Sequence, residues 1–349
     1  MASPLVNPRV QEAVQWYAER RLIYEALASK VEAILREVLS TRSIDYHSIS
    51  SRAKSLESYR LKASREKYEQ PRNEIMDMAG IRVITYTQSD ATKVANCVRE
   101  LFTVLPGYSI DKSEELGTDR VGYRSIHFLA TLGKSRERLP ENRALRKMRF
   151  ETQVRTILQH AWAEFEHDRN YKFAGVLPNE IRRRVSVIAG NLEMTDREFD
   201  AIAKEIDKYA VTAEREANSG NLSSSIDSMS LIAYLNKKLA PLVRKGARPS
   251  LNLGDKTIID ELHLMGINTI KELDAIVPKD FVDIESRFVE EDSNFLGFMR
   301  DIMIAYDADR YFKKAWRHHW SADTSDVELL EELGVSLAKY AKKYKIEIK

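Results

Sequence analysis

The run Phe150-Glu151-Thr152-Gln153-Val154-Arg155 constrains this chain more than any other stretch. A strand sends successive side chains to opposite faces, so Phe150, Thr152 and Val154 share one face. Glu151, Gln153 and Arg155 share the other. A carboxylate, an amide and a guanidinium in the middle of a sheet are costly unless they line a site. The run therefore predicts a strand with packing on one side and chemistry on the other.

The rest of the chain supplies layers for such a strand. Ile81-Arg82-Val83-Ile84-Thr85-Tyr86 is β-branched and aromatic, which suits a second strand, with Asp77 just before it. Ser125 to Leu132 alternates as a third. Helical spacing marks residues 9–40 as one or two helices, and it returns at 90–104, 155–170 and 178–217. Pro106-Gly107 breaks the second of these. In the last, Leu192, Met194, Phe199, Ile202, Ile206 and Tyr209 form an apolar face fit to cover the preceding domain or a partner. The expected fold class is α+β, a small mixed sheet flanked by helices, followed by a mostly helical region.

A chain of 349 residues suggests two or three domains. The expected division is N-terminal helices at 1–40, a catalytic domain with trailing helices at 41–217, a linker at 218–230 and a helical domain at 231–349. The linker reading rests on the small polar run Ser219 to Ser230. The last domain repeats itself faintly, since Leu262-His263-Leu264-Met265-Gly266-Ile267 resembles Leu330-Glu331-Glu332-Leu333-Gly334-Val335. Each reads as a helix ending at glycine before a second helix. Such hairpins bind nucleic-acid backbones in some proteins and are plain helix ends in others.

Composition excludes several classes. A net charge of +2 leaves any nucleic-acid affinity to a local patch. The one candidate is the basic run Lys134, Arg136, Arg138, Arg143, Arg146, Lys147 and Arg149. With Cys97 alone, no internal disulfide can form, and its helix-face setting reads as a small buried hydrophobe. No run of about 18 apolar residues exists, so no membrane span is expected. The N-terminus is not a secretory signal, and the expected location is the cytoplasm.

Three clusters carry chemistry. Arg52, Lys54, Ser58 and Lys62 fall at helical spacing, with positions 54, 58 and 62 on one face. That face predicts a site for phosphates, and a guanidinium beside it can lie flat on a purine. Asp77 stands before one expected strand and Glu151 lies in another, and two carboxylates at neighbouring strand positions can share one Mg²⁺ that keeps waters and takes its other ligands from phosphates. Gly122 permits a tight turn from which Tyr123 projects as a stacking platform, with Arg124 and His127 nearby. His160 and His167 lie near one helix face, but a zinc site needs more ligands than these.

The order and spacing of these motifs, together with Gly122-Tyr123-Arg124-Ser125-Ile126-His127, resemble the synthetase domain of the RelA/SpoT family over about residues 40–175. The resemblance implies a pyrophosphotransferase that moves the β,γ-pyrophosphate of ATP to the 3′-hydroxyl of GDP or GTP. By the same resemblance, Arg52 and Arg82 sandwich adenine, and Lys54 and Lys62, with Ser58 in the same motif, contact the ATP phosphates. Asp77 and Glu151 bind Mg²⁺, Glu151 handles the hydroxyl proton with Gln153 in support, and Tyr123 stacks on guanine. Arg124, His127 and Arg155 complete the acceptor side. Family members that use GDP or GTP usually carry a Pro-Lys pair before this glycine, and here Asp119-Arg120 stands in that region. Toxin-like relatives instead modify the 3′ end of tRNA, and the basic run gives that alternative its support. A non-catalytic nucleotide-binding regulator is the third reading. The resemblance also implies a possible homo-oligomer. Only about 50 residues precede the first motif, too few for a further catalytic domain, so no hydrolysis of the product is expected.

Overall fold

The computed structural model describes residues 7–107, 110–111, 125–172, 178–249, 257–290, 293–316, 322 and 324–348, with backbone alone at 110–111 and 166–172. They fall into two compact units, Met1–Ala203 and Lys204–Lys349.

The first unit opens with α1 (Pro8–Thr41), a single helix where the spacing allowed one or two. Pro8 sits at its first turn, and the Asn7 side chain accepts from the Arg9 backbone N–H. Tyr17, Leu27, Val31, Leu35 and Leu39 are fully buried, the last four at successive four-residue steps. Next come β1 (Ser48–Ala53), α2 (Leu56–Ala63), α3 (Pro71–Glu74), β2 (Ala79–Thr85) and α4 (Gln88–Leu101). The short β3 (Thr103–Val104) and β4 (Ile110–Asp111), then β5 (Ile126–Thr131) and β6 (Phe150–Thr156), complete a six-stranded sheet. Its order is β1-β2-β6-β5-β3, with β4 also on β5. Only β2 and β6 run parallel, and the other pairs are antiparallel. The sheet is mixed, as expected, and the last strand in sequence lies in its middle.

One expectation needs correction. Arg52 and Lys54 do not share a helix with Ser58 and Lys62. Arg52 lies in β1, paired with β2 opposite Gly80, and Lys54 is in the connection. The helix starts only at Leu56, because the Ser55 hydroxyl accepts from the Ser58 N–H and caps it. The expected strand at β6 is present, and its burial alternates residue by residue. Phe150 and Val154 are fully buried, and Phe102 meets the Phe150 ring edge-on at 5.1 Å. Cys97 is buried on α4.

The Ile157–Lys172 helix follows β6 directly, and the Asn179–Ser219 helix comes after it. Within the first unit, Asp196 of the latter is buried and accepts from the Thr156 hydroxyl at 3.0 Å, at the end of β6. The stripe expected to cover a domain or partner is half-exposed at Phe199, Ile202, Ile206 and Tyr209, and more so at Met194.

The second unit is helical among its described residues. Leu235, Leu262, Phe295, Met299 and Ile302 belong to its core. The Glu261 carboxylate is buried there, held by the Arg300 guanidinium at 2.8 and 3.2 Å and by the Tyr311 hydroxyl at 3.1 Å. The two echoed motifs have the same local structure. Gly266 and Gly334 adopt φ +78° and +87°. Ile267 and Val335 donate back to Leu262 and Leu330 at 2.9 and 2.8 Å. Each is a helix end closed by a left-handed glycine, followed by another helix.

Glu285 in the Phe281–Glu285 helix is buried, and one of its oxygens has no hydrogen-bond partner among the described residues. Burial, and then the charge of Asp326, push its carboxyl up to about 8. An acid whose pKa is raised by folding holds its proton in the native state after the unfolded chain has released it. Stability of this unit is therefore expected to fall as pH rises from about 4.5 to about 8. Calorimetry of Glu285→Gln across that window is expected to show a flatter profile, with the largest gain in melting temperature at the alkaline end. An unchanged slope would show that Glu285 is not the titrating group.

Candidate functional site

The sheet registers place the polar side chains in rows. Ser50 pairs with Arg82, Arg82 with Gln153, and Gln153 with His127, so one row crosses four strands. The next row runs Arg52, Gly80, Glu151 and Leu129. Gly80 puts no side chain between Arg52 and Glu151, and a cavity of about 240 Å³ opens there. Arg52, Lys54, Asp77, Arg82, Glu151 and Gln153 line it, together with Ser50 and Ser51. Six residues singled out in the sequence thus meet in one place.

Asp77 anchors the cations. Its Oδ2 accepts from Lys54 Nζ at 2.9 Å and from Lys62 Nζ at 2.7 Å. Burial pushes this carboxyl up, but the two lysines outweigh burial and hold it below the usual carboxylate range. Lys54 is positioned from beneath by α1. The Tyr17 hydroxyl donates to the Lys54 carbonyl at 2.7 Å, and the Tyr17 ring stacks on Tyr59 at 4.4 Å. Lys62 comes from α2, whose first turn Ser55 caps.

Glu151 is clamped from both sides. His127 Nδ1 lies 3.2 Å from its Oε1, and Gln153 Nε2 donates to its Oε2 at 2.9 Å. Arg155 in turn donates to Gln153 Oε1 at 2.9 Å, and Ser125 Oγ sits 2.8 Å from His127 Nε2. A polar chain therefore runs from Arg155 through Gln153, Glu151 and His127 to Ser125. Burial raises the Glu151 pKa, but the bonds and charge of His127 and the amide of Gln153 bring it below its ordinary value. The charge of Asp77 acts on Glu151 in the opposite sense, which marks the two carboxylates as neighbours. Burial, and next the charge of Arg82, pull the Arg155 guanidinium pKa down.

Arg82 does not point freely into the cavity. Its Nη1 bonds Glu164 Oε1 of the Ile157–Lys172 helix at 2.9 Å, with His160 Nδ1 3.6 Å from the same oxygen. Arg52 is exposed and has no ion-pair partner among the described residues. Ser58 is exposed and bonds Ser55, not the cavity. Tyr123 and Arg124 lie outside the described residues. His127, expected to meet the acceptor, has its Nδ1 beside Glu151 and its Nε2 beside Ser125.

The donor set fits a hard divalent cation. Asp77 Oδ1 is buried without a hydrogen-bond partner among the described residues, and a second carboxylate stands beside it. Among the described residues no cluster of three or more His, Cys, Asp or Glu side chains is placed to hold a metal. Two carboxylates leave most positions to water and phosphate, the arrangement Mg²⁺ favours. Sequence reading missed Gly80, Ser50 and Tyr17. A glycine at the start of a β-branched strand is the only signal that marked the first of these.

A family model described as "Region found in RelA / SpoT proteins" matches residues 51–175. The GTP pyrophosphokinase YjbM of Bacillus subtilis (strain 168) is 27% identical over 172 residues, 48% of this chain and 77% of that protein. GTP pyrophosphokinase YwaC of the same organism is 28% identical over 164 residues, covering 45% and 73%. Among solved structures, small alarmone synthetase 1 from Bacillus subtilis aligns with a TM-score of 0.46 at 22% identity, over 56% of this chain and 98% of that one. No helix among the described residues is long and apolar enough to cross a membrane. The stretch that matches the RelA/SpoT region, residues 51–175, carries every lining residue of the cavity except Ser50.

Proposed function

We propose that this chain moves the β,γ-pyrophosphate of ATP to the 3′-hydroxyl of GDP or GTP, making (p)ppGpp. The observation that carries this reading is the meeting of Glu151, Asp77 and Lys54 in one cavity, with Lys62 bonded to Asp77. The names of the relatives, GTP pyrophosphokinases, support the same reaction class.

In this reading Lys54 and Lys62 release Asp77 in exchange for the triphosphate, and Arg52 and Arg82 flank the adenine. Asp77 and Glu151 would hold Mg²⁺, which neutralises phosphate charge when bound. Glu151 takes the proton of the 3′-hydroxyl as that oxygen bonds to the β-phosphorus. The bond from this phosphorus to the oxygen bridging to the α-phosphorus breaks, and AMP leaves. His127 and Gln153 keep the carboxylate aimed through one bond to each oxygen. Tyr123, with Arg124 and Arg155, is assigned to the acceptor. Most of the acceleration comes from positioning and charge neutralisation, the usual division in phosphoryl chemistry.

The test is incubation with γ-³²P-ATP and Mg²⁺, with GDP, GTP and deacylated tRNA offered separately. Label is expected on GDP or GTP, with AMP formed in equal amount. Label on tRNA alone, or ATP turnover to ADP, overturns the assignment.

A further inference from the structure

A second cavity of about 280 Å³ lies in the first unit, away from the carboxylates yet sharing their backbone. Its walls include Trp16 and Tyr24 of α1, Arg72 of α3, Met76, and Lys147 and Arg149 ahead of β6. The segment Met76-Asp77-Met78 separates the two cavities. Asp77 lines the first, while Met76 and Met78 line the second. Arg149 stands two residues before Glu151 on the other wall. A molecule in this cavity would touch the backbone leading to both carboxylates.

The chemistry of the walls is divided. The floor is aromatic and thioether, with Tyr24 and Met78 buried and Trp16 half-buried. The rim is cationic, with Arg72, Lys147 and Arg149 all exposed. These cations are poorly paired. Among the described residues Arg72 pairs only with the exposed Glu12, at 3.2 Å, a weak surface contact. Arg149 donates to Met76 Sδ, a poor acceptor for a guanidinium, and has no carboxylate partner among the described residues. Lys147 has no ion pair among the described residues. It also sits at φ 60°, a backbone conformation uncommon for lysine, with its N–H held by the Glu137 carboxylate at 3.1 Å. Strain of this kind in a non-glycine residue concentrates where a side chain must be aimed.

We propose that this cavity is a second nucleotide site, which takes a nucleoside monophosphate with its base against Trp16 and Tyr24 and its phosphate between Arg72, Lys147 and Arg149. A planar ring gains by stacking on the aromatic floor, and a phosphate pairs best with guanidinium donors. The volume suits one small ligand, near the low end for such cavities. Binding here is independent of the pyrophosphotransferase reading.

The test uses the full chain labelled with 5-fluorotryptophan and titrated with AMP, with the Trp16 resonance assigned from Trp16→Phe. An α,β-methylene ATP analogue is present throughout to occupy the first cavity. The Trp16 signal is expected to shift saturably with AMP. The Lys147→Gln/Arg149→Gln variant is expected to weaken that binding at least about tenfold, the loss of roughly one charge-assisted contact. Glu151→Gln is expected to leave it unchanged. Inorganic phosphate alone is expected to bind more weakly than AMP. No shift of Trp16, equal binding by the double variant, or equal binding of phosphate and AMP overturns the proposal. A failed transfer assay leaves this readout intact, so the two assignments fail separately.

Discussion

Glu151→Gln is expected to cut the pyrophosphate transfer rate by about 10²–10⁴-fold, the usual worth of a positioned general base. The substitution keeps the shape of the side chain and one acceptor oxygen, so His127 still has a partner. What is lost is the negative charge and the ability to take a proton. The measurement is single-turnover label transfer at saturating ATP, beside circular dichroism and a melting curve. Folding is expected to be unchanged, because the residue is only partly buried and lies on the cavity side of β6. A variant that transferred label at the parent rate would remove Glu151 from the chemistry and leave Asp77 and the lysines as a binding site only.

Phe150→Ala, one residue away, is expected to have the opposite signature. Phe150 is fully buried, and its ring packs on the edge of Phe102. Removing the ring should cost about 3–5 kcal/mol of the first unit's stability, from lost burial and the cavity left behind. In urea the midpoint of that unit should fall with little change in slope. A loss below about 1 kcal/mol would mean that the neighbours collapse into the space or that the ring contributes little. The pair tests the opening premise about β6, that one face serves packing and the other chemistry.

Much of this was legible because it is local. The alternation of Phe150 to Arg155 depends only on strand geometry, and the structure reproduces it residue for residue. The helical periods of α1 and α4 are equally direct. The basic segment misled because Lys54, Ser58 and Lys62 have helical spacing by number. Only the cap at Ser55 and the pairing of Arg52 with Gly80 show that a strand, a connection and a helix divide it. Long-range relations left no trace in the spacing. Nothing in the sequence says that β2 and β6 are neighbours, that Tyr17 supports the Lys54 carbonyl, or that Glu164 holds Arg82. His127 was read toward the acceptor, and its bond to Glu151 emerges only from the pairing of β5 with β6.

The central place of the last strand has a consequence for how the chain is made. On a ribosome, β1 and β2 emerge first, then β3 to β5, and each group can pair within itself. Until β6 arrives, β2 and β5 have no partner on their inner sides, since both bond to β6 in the finished sheet. The nascent chain then carries two bare strand edges, and such edges recruit strands from other chains. Message breakage or a premature stop just before Phe150 would strand the chain in that state, with Lys54, Lys62 and Asp77 already made and Glu151 missing. A fragment ending there belongs with the aggregation-prone products of translation, whereas one extending past Thr156 can close the sheet.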